Sequence, residues 1–410
     1  MGANTMTSST PTSGVFDASA AAAGYAMQIR YGLYEALKRL RVGLDWQISL
    51  EAGDDIEVQD APGYANYFQI KHRAEGTNLT DASVDLWKSL RIWCQAVADS
   101  QIDLATASFI LVTTSQAPSG SIASLLSSDL ESRDVPEAAR RLDAVIEASD
   151  SRTNAKAYAA WLGLDVDTRR ALLGRLTIAA SGPDIDDVHE LLIAELTLSV
   201  RRAQVDAFVA RLEGWWFQRC IGIFRGTQAA FISGEELDAY LGDLREGFLP
   251  ENLPVDADIP SLEPALDAFT DHRFVRQVDL VGVGKSRIAS AVRDYLRAYT
   301  QRSRWTRESL IIPDEIDRYE RQLIEEWRYV FDRCADSLPD GASEALKSEV
   351  AKQIYQWVEE ATAPPIRDRC TERFLVRGSL HMLADRVESG VGWHPEFTAR
   401  LIALLEPAEI

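Results

Sequence analysis

Between Trp46 and Lys71 the chain reads WQISLEAGDDIEVQDAPGYANYFQIK, and four of its residues could do chemistry together. Glu51 and Asp55 offer carboxylates, Gln69 an amide oxygen and Lys71 an ammonium. Hard divalent cations take oxygen ligands. Glu51, Asp55 and Gln69 therefore form a candidate metal set for Mg2+ or Mn2+, with the Ile70 carbonyl as a further ligand. Such a cation activates water and neutralises the charge that develops on a phosphodiester. Lys71 could orient that water or stabilise the pentavalent phosphorus.

Three short strands must position these groups. Trp46, Ile48 and Leu50 alternate with Gln47, Ser49 and Glu51. Ile56 and Val58 alternate with Asp55 and Glu57, and Phe68 and Ile70 alternate with Gln69 and Lys71. A period of two puts alternate residues on opposite faces. The apolar set is expected on a core, and Glu51, Asp55, Gln69 and Lys71 on the polar side. Asp54 falls on the other face of a regular strand. The competing reading is a solvated hairpin in which Asp54 and Asp55 only make the turn and Lys71 is a surface residue.

A helix over 17–41 precedes the strands, with Tyr25, Ile29, Leu33, Leu37 and Leu40 at helical spacing. A second helix over 79–100 follows, with Leu86, Leu90, Trp93 and Val97 on one face. Gln28 on the first helix could reach the site. His72 and Arg73, just past the third strand, could contact phosphate. Lys38, Arg39 and Arg41 could grip a DNA backbone, or simply complement the dipole at a helix end.

Ala107–Thr113 (ASFILVT) predicts a continuous buried strand, followed by the turn signal QAPSGS. Helix, antiparallel strands, helix and strand together predict an α/β (α+β) domain with one mixed sheet. Past residue 121 the pattern is helical, with short helices at 135–149, 152–163 and 166–175. A boundary follows at Ser181-Gly182-Pro183, then a long helix capped by Asp184 or Asp186 and running to about Trp216. A helix at 234–246 leads to a Pro- and Asp-rich linker over 247–264. Helices resume at 284–300, 314–337, 341–361, 365–388 and 394–405. The expected organisation is a Ser/Thr/Pro-rich disordered segment over 1–14, a nuclease domain over 15–180 and an all-α domain over 181–410.

The 410 residues carry a formal net charge of −20, which argues against a general nucleic-acid coat protein. It leaves room for a nuclease with a local basic rim. The four cysteines are widely spaced with no CxxC pair, so neither a zinc site nor a disulfide framework is expected. No apolar run reaches the length of a membrane span, and the N-terminus lacks the pattern of a signal peptide. A cytoplasmic location is the expectation.

The run Ala23-Gly24-Tyr25 with Gln28, then Glu51-x-x-Asp54-Asp55-Ile56, then Gln69-Ile70-Lys71-His72, and then Val112-Thr113-Thr114, resembles one group of nucleases. It is the PD-(D/E)xK superfamily in the restriction-endonuclease-like variant whose last acidic ligand is glutamine. Within it, the chain is most similar to the nuclease domain of CD-NTase-associated effector endonucleases of bacterial anti-phage defence. The resemblance covers about residues 15 to 120. It implies Asp55, Gln69 and Lys71 as the catalytic core and Glu51 as a second acid. The stretch 299–330 has a basic run (Arg302, Arg304, Arg307) and then Ile316, Tyr319, Leu323, Ile324 and Trp327 on one helical face. This resembles the C-terminal domain of effector subunits in Lamassu-type defence systems built on an SMC-like ABC ATPase. That likeness, over about 185 to 410, implies a helical assembly domain.

Other signals weigh less. Gly282-Val283-Gly284-Lys285-Ser286 invites a phosphate-loop reading, yet Asp279 stands where the motif needs its first glycine. The run VRQVDLV before it could be a strand; the simpler reading is a loop with a helix starting at Lys285. His189, His272, His381 and His394 show no ligand spacing. Trp215-Trp216-Phe217 and Tyr319, Trp327 and Tyr329 read as core or interface.

The combined expectation is a Mg2+-dependent endonuclease that cuts double-stranded DNA. It would be held by an SMC-like ATPase subunit and a small accessory subunit, and be active as a dimer or tetramer. One rival is an inactive nuclease-like assembly subunit. Another is a nucleotide-dependent regulator using Lys285.

Overall fold

The computed structural model describes residues 13–50, 55–60, 63–74 and 76–405, with side chains described except at 13–21, 55 and 403–405. Glu51, Asp54 and the expected disordered segment up to residue 12 lie outside the described residues. The chain forms two units. One comprises Met1–Ser199 with Phe208–Gly242; the other comprises Val200–Ala207 with Asp243–Ile410. The expected boundary at residue 180 falls inside the span of the first unit.

The first unit is built on a six-stranded mixed sheet: β1 (Trp46–Leu50), β2 (Asp55–Asp60), β3 (Tyr64–Lys71), β4 (Ala107–Thr113), β5 (Leu176–Ala179) and β6 (Ile232–Ser233). Their order across the sheet is β5-β4-β3-β2-β1-β6. The neighbours among β1, β2, β3 and β6 are antiparallel, and β3, β4 and β5 are parallel. The expected mixed sheet is present. β3 starts at Tyr64, inside the stretch DAPGYAN read as a turn. Gly63, with φ +93°, supplies the left-handed residue there.

Alternation sorts the strands as expected on one face. Ile48, Leu50, Ile56, Val58, Phe68 and Ile70 are all buried. Helix α1 (Ser13–Leu40) covers this face. A Cβ placed on Gly32 would meet Leu50 at 3.6 Å and Ile56 at 3.7 Å, so the helix lies in van der Waals contact with the sheet. The other face is apolar over β3, β4 and β5. Phe109, Leu111 and Ile178 share a core with Leu86, Trp87, Leu90 and Trp93 of helix α2 (Val84–Ala98). These four recur at the spacing of one helical face, which is why α2 forms and docks here. Tyr67 stacks on Phe109 at 5.8 Å, and Trp93 tilts against Phe109 at 5.2 Å. Such pairs add about 0.5–1.5 kcal/mol beyond area burial.

Two readings of the helical stretch change. The long helix expected from Asp184 to Trp216 is interrupted: one helix spans Ile185–Leu196 and the next Val205–Phe224. Asp184 caps the first of them through a capping box with Asp187, as a helix start requires. Its last turn is closed where Thr197 Oγ1 bonds back to the Ile193 carbonyl at 2.7 Å. Such back-bonding competes with helix continuation. Strands β5 and β6 were not expected at all.

In the second unit, the Pro- and Asp-rich stretch after residue 247 is packed rather than a free linker. Leu253 and Ile259 are buried, and Trp305 Nε1 donates to the Pro254 carbonyl at 2.6 Å. The helices here are Arg273–Leu280, Lys285–Arg307, Glu315–Ala335, Glu344–Glu360, Arg373–Asp385 and Phe397–Leu405. They share a core that includes Phe274, Leu323, Trp327, Ile354, Tyr355, Leu380 and Trp393. VRQVDLV is therefore helical, and the helix after it starts at Lys285. The phosphate-loop context of strand, loop and helix is absent there.

Among the described residues no helix is long and apolar enough to cross a membrane. Cys94, Cys220, Cys334 and Cys370 are free thiols.

Candidate active site

The C-terminal end of β3 brings the expected residues together. Gln69 and Lys71 lie two apart on one face, and Lys71 Nζ donates to Gln69 Oε1 at 2.8 Å. In the β2–β3 register Asp55 is the partner of Gln69. Directly opposed positions of an antiparallel pair share a face. Three of the four expected catalytic positions thus adjoin in the sheet. Glu51 lies outside the described residues.

Gln69 is fully buried, which differs from an open polar face. The cause is tertiary: the α2 side of β3 and β4 packs into the apolar core described above. An amide held there needs partners, because burying one without them costs about 1–3 kcal/mol. Lys71 is half-buried and stands where that covered face opens.

A cleft of about 360 Å3 opens at this point. Its lining includes Tyr25 and Gln28 of α1, Lys71 at the end of β3, His72 and Arg73 just past it, and Asp85 and Lys88 of α2. Gln28, His72 and Arg73, the expected DNA contacts, therefore meet Lys71 in one concavity. Tyr25, expected on the buried face of α1, is instead exposed at the cleft. His72 Nδ1 is buried without a hydrogen-bond partner. Buried polar atoms are as a rule paired, and this one belongs to a residue that lines the cleft.

Arg73 is not a free cation. Its Nη2 and Nε donate to the two carboxylate oxygens of Asp85 at 2.6 and 2.7 Å. The bond and charge of Asp85 raise the guanidinium pKa, with burial opposing. Asp85 sits in the first turn of α2, where the helix dipole favours a carboxylate. The Thr-Thr end of β4 also has a role. Arg73 N donates to Thr114 Oγ1 and Thr114 Oγ1 donates to the Arg73 carbonyl, both at 2.9 Å. This pair latches the exit of β3 to β4. Asp85, Lys88 and Thr114 had no assigned role in the sequence reading. The acid in the first turn of α2 was the one signal that could have found Asp85.

The basic cluster at the end of α1 is ion-paired. Lys38 and Arg39 pair with the buried Glu35 at 2.9 and 2.7 Å, and Arg41 pairs with Glu195. Arg39 also reaches Asp60 at 3.2 Å. These charges are compensated within the first unit.

For a metal, the donor chemistry fits a hard cation. Gln69 Oε1, which accepts from Lys71, is an oxygen donor of the kind hard cations take. Asp55 occupies the opposed position. Among the described residues no group of three His, Cys, Asp or Glu side chains gathers as a metal cage.

Residues 18–144 match the family described as "Cap4, dsDNA endonuclease domain". Residues 274–401 match "C-terminal domain 7 of the ABC-three component (ABC-3C) systems". No curated protein matches the chain at a significant level. Among solved structures, the chain is similar to the Acinetobacter baumannii Cap4 SAVED/CARF-domain containing receptor with the cyclic trinucleotide 2'3'3'-cAAA. The identity is 15%, the match covers 54% of this chain and 45% of that one, and the TM-score is 0.37. For the Moraxella osloensis Cap4 SAVED/CARF-domain containing receptor the identity is 14%, the coverage 57% and 54%, and the TM-score 0.33. The chain thus spans about half the length of these receptors. The two family matches fall on different parts of the chain, one over the site region and one over the helical unit.

Proposed function

We propose that the chain hydrolyses phosphodiester bonds of double-stranded DNA with Mg2+ or Mn2+, using Asp55, Gln69, Lys71 and Glu51. The observation that carries this reading is the Lys71–Gln69 hydrogen bond at the head of the cleft, with Asp55 opposed to Gln69 in the sheet. Glu51, Asp55 and Gln69 would hold the cation. When bound, it would activate the attacking water and offset charge on the phosphoryl oxygens.

The chain's own residues supply the rest. Gln69 fixes the Lys71 ammonium, so no side-chain reorganisation is needed as negative charge builds on the phosphoryl group. Lys71 stabilises that charge and orients the water. As the water oxygen bonds to phosphorus, the bond from phosphorus to the bridging sugar oxygen breaks. The water's proton leaves to solvent, and the departing oxygen takes one up. Gln28, His72 and Arg73 line the path of the DNA backbone.

We also propose that cutting is gated by assembly, through the helical unit, with an SMC-like ABC ATPase subunit and a small accessory subunit. Active copies would pair as a dimer or tetramer, since two domains hold both strands of a duplex. PD-(D/E)xK chemistry and the Lamassu type belong to the same proposal. The test is plasmid cleavage by the purified chain with Mg2+, with chelator, and over a range of protein concentrations. Cleavage that needs the metal and rises more steeply than linearly with concentration is expected. Cleavage that persists in chelator would sink the metal reading, and strictly linear dependence would sink the gating. A variant of Asp55 that binds Mg2+ in calorimetry as the parent does would favour the inactive assembly subunit.

A further inference from the structure

The helical unit holds a cavity that the nuclease reading does not use. It encloses about 340 Å3 and is lined from the helices Lys285–Arg307, Glu344–Glu360 and Arg373–Asp385. Arg287, Arg293, Arg297 and Arg377 face it, against the two carboxylates of Asp294 and Glu359. Arg293 and Arg297 stand one turn apart on one helix and so share a face.

Ion pairs hold these guanidiniums in place without using all their donors. Arg287 Nε donates to Glu359 at 2.7 Å and its guanidinium lies over the Tyr355 ring at 5.3 Å. Arg377 pairs with Asp294 through Nε, and its Nη1 donates to the Glu359 carbonyl at 3.4 Å. Glu263, outside the lining, reaches Arg293 at 3.1 Å and Arg297 at 3.7 Å. Arg297 also donates to the Pro260 carbonyl. Each guanidinium has five N–H donors in a rigid fork, so these contacts fix direction and leave donors over.

Two buried polar atoms of the lining residues have no hydrogen-bond partner: Arg297 Nε and His381 Nδ1. His381 is 1% exposed. Burial, with the charge of Arg377 added, lowers its pKa to about 3, so the imidazole is neutral and can donate one N–H. Orphaned polar atoms on residues that line a cavity rich in guanidiniums match a compact acceptor with several oxygens.

We infer that this cavity binds a small phosphate-bearing anion, gripped by Arg293, Arg297 and Arg377 and completed by His381. Four guanidiniums stand against three carboxylates once Glu263 is counted, and the excess of one positive charge favours an anion. Guanidinium forks match phosphate oxygens in pairs. The volume is that of a small-molecule site, not of a polymer groove. Free phosphate and a nucleoside phosphate share this chemistry, and the two arms of the experiment separate them.

Titration calorimetry of the full chain with inorganic phosphate, and separately with AMP, at constant ionic strength set by chloride, tests the site. Saturable binding of at least one, with Kd below about 1 mM, is expected. Equal affinities identify phosphate itself as the ligand; tighter AMP binding identifies a phosphate ester. Ser290 lines the cavity, is exposed, and bonds back to the Ser286 carbonyl. Ser290→Glu brings a carboxylate against the anion and should weaken binding by about tenfold or more, with the thermal melt unchanged. If that variant does not fold, Arg293→Gln serves the same purpose. Lys71→Ala should bind as the parent does, which keeps this inference separate from the nuclease reading. No saturable binding of either probe, or a folded Ser290→Glu (or Arg293→Gln) chain that binds as the parent does, would overturn it.

Discussion

Lys71 Nζ and Gln69 Oε1 stand 2.8 Å apart, one half-buried and the other sealed in the sheet. The buried amide sets the position of the ammonium that faces the cleft. Lys71→Ala should therefore lower cleavage by about 100-fold or more, the scale of one lost transition-state donor. It opens no apolar core cavity but takes one hydrogen bond from the buried Gln69 amide, about 1–3 kcal/mol, so the variant should fold with a modestly lower melting temperature. Plasmid cleavage and a thermal melt on one preparation check both halves; wild-type cleavage by the folded variant would remove Lys71 from the site.

Asp85 neutralises Arg73 in the cleft. In Asp85→Asn, the Arg73 guanidinium loses its counter-charge and can turn to a phosphate. Binding to a non-cleaved duplex should tighten. The slope of log K against log salt should steepen by about 0.9, the value of one added phosphate contact. Titrations of labelled duplex from low to moderate salt measure this. An unchanged slope would show that Arg73 does not face the backbone.

Lys285 is exposed at the start of its helix, with the helix Arg273–Leu280 before it instead of a strand. Lys285→Ala should leave fold, cleavage and phosphate binding unchanged. Loss of nucleotide binding in this variant, seen by calorimetry, would restore the regulator reading.

Glu320 is buried in the helical unit with Arg302 and Arg386. Burial raises its pKa, but the Arg302 hydrogen bond and charge, helped by Arg386, outweigh it, and the net shift is downward. A depressed folded pKa contributes stability that is fully present above the unfolded carboxylate value, about 4.3, and is lost as pH falls through the folded value. Glu320→Gln should cost about 3–5 kcal/mol at neutral pH, since it leaves Arg302 without its counter-charge. As pH falls below about 4 the gap between parent and variant should narrow. Urea melts at pH 7 and pH 3 read this; a constant gap would show that Glu320 does not carry the linkage.

Local patterns were legible in the sequence because they depend on residues a few positions apart. Period-two alternation located β1, β2 and β3, the run ASFILVT located β4, and helical spacing located α1 and α2. The same alternation put Gln69 and Lys71 on one face. What depends on distant partners was not legible. β5 and β6 are too short to show a period, and they become strands by pairing with β4 and β1. The burial of Gln69 follows from the docking of α2 on a face whose apolar half comes from β4 and β5. The ion pairs of Arg39 with Asp60, Arg41 with Glu195 and Arg73 with Asp85 each join separate elements. Charge is written in the sequence; whether a charge is free to meet DNA is decided by which carboxylate the fold brings beside it.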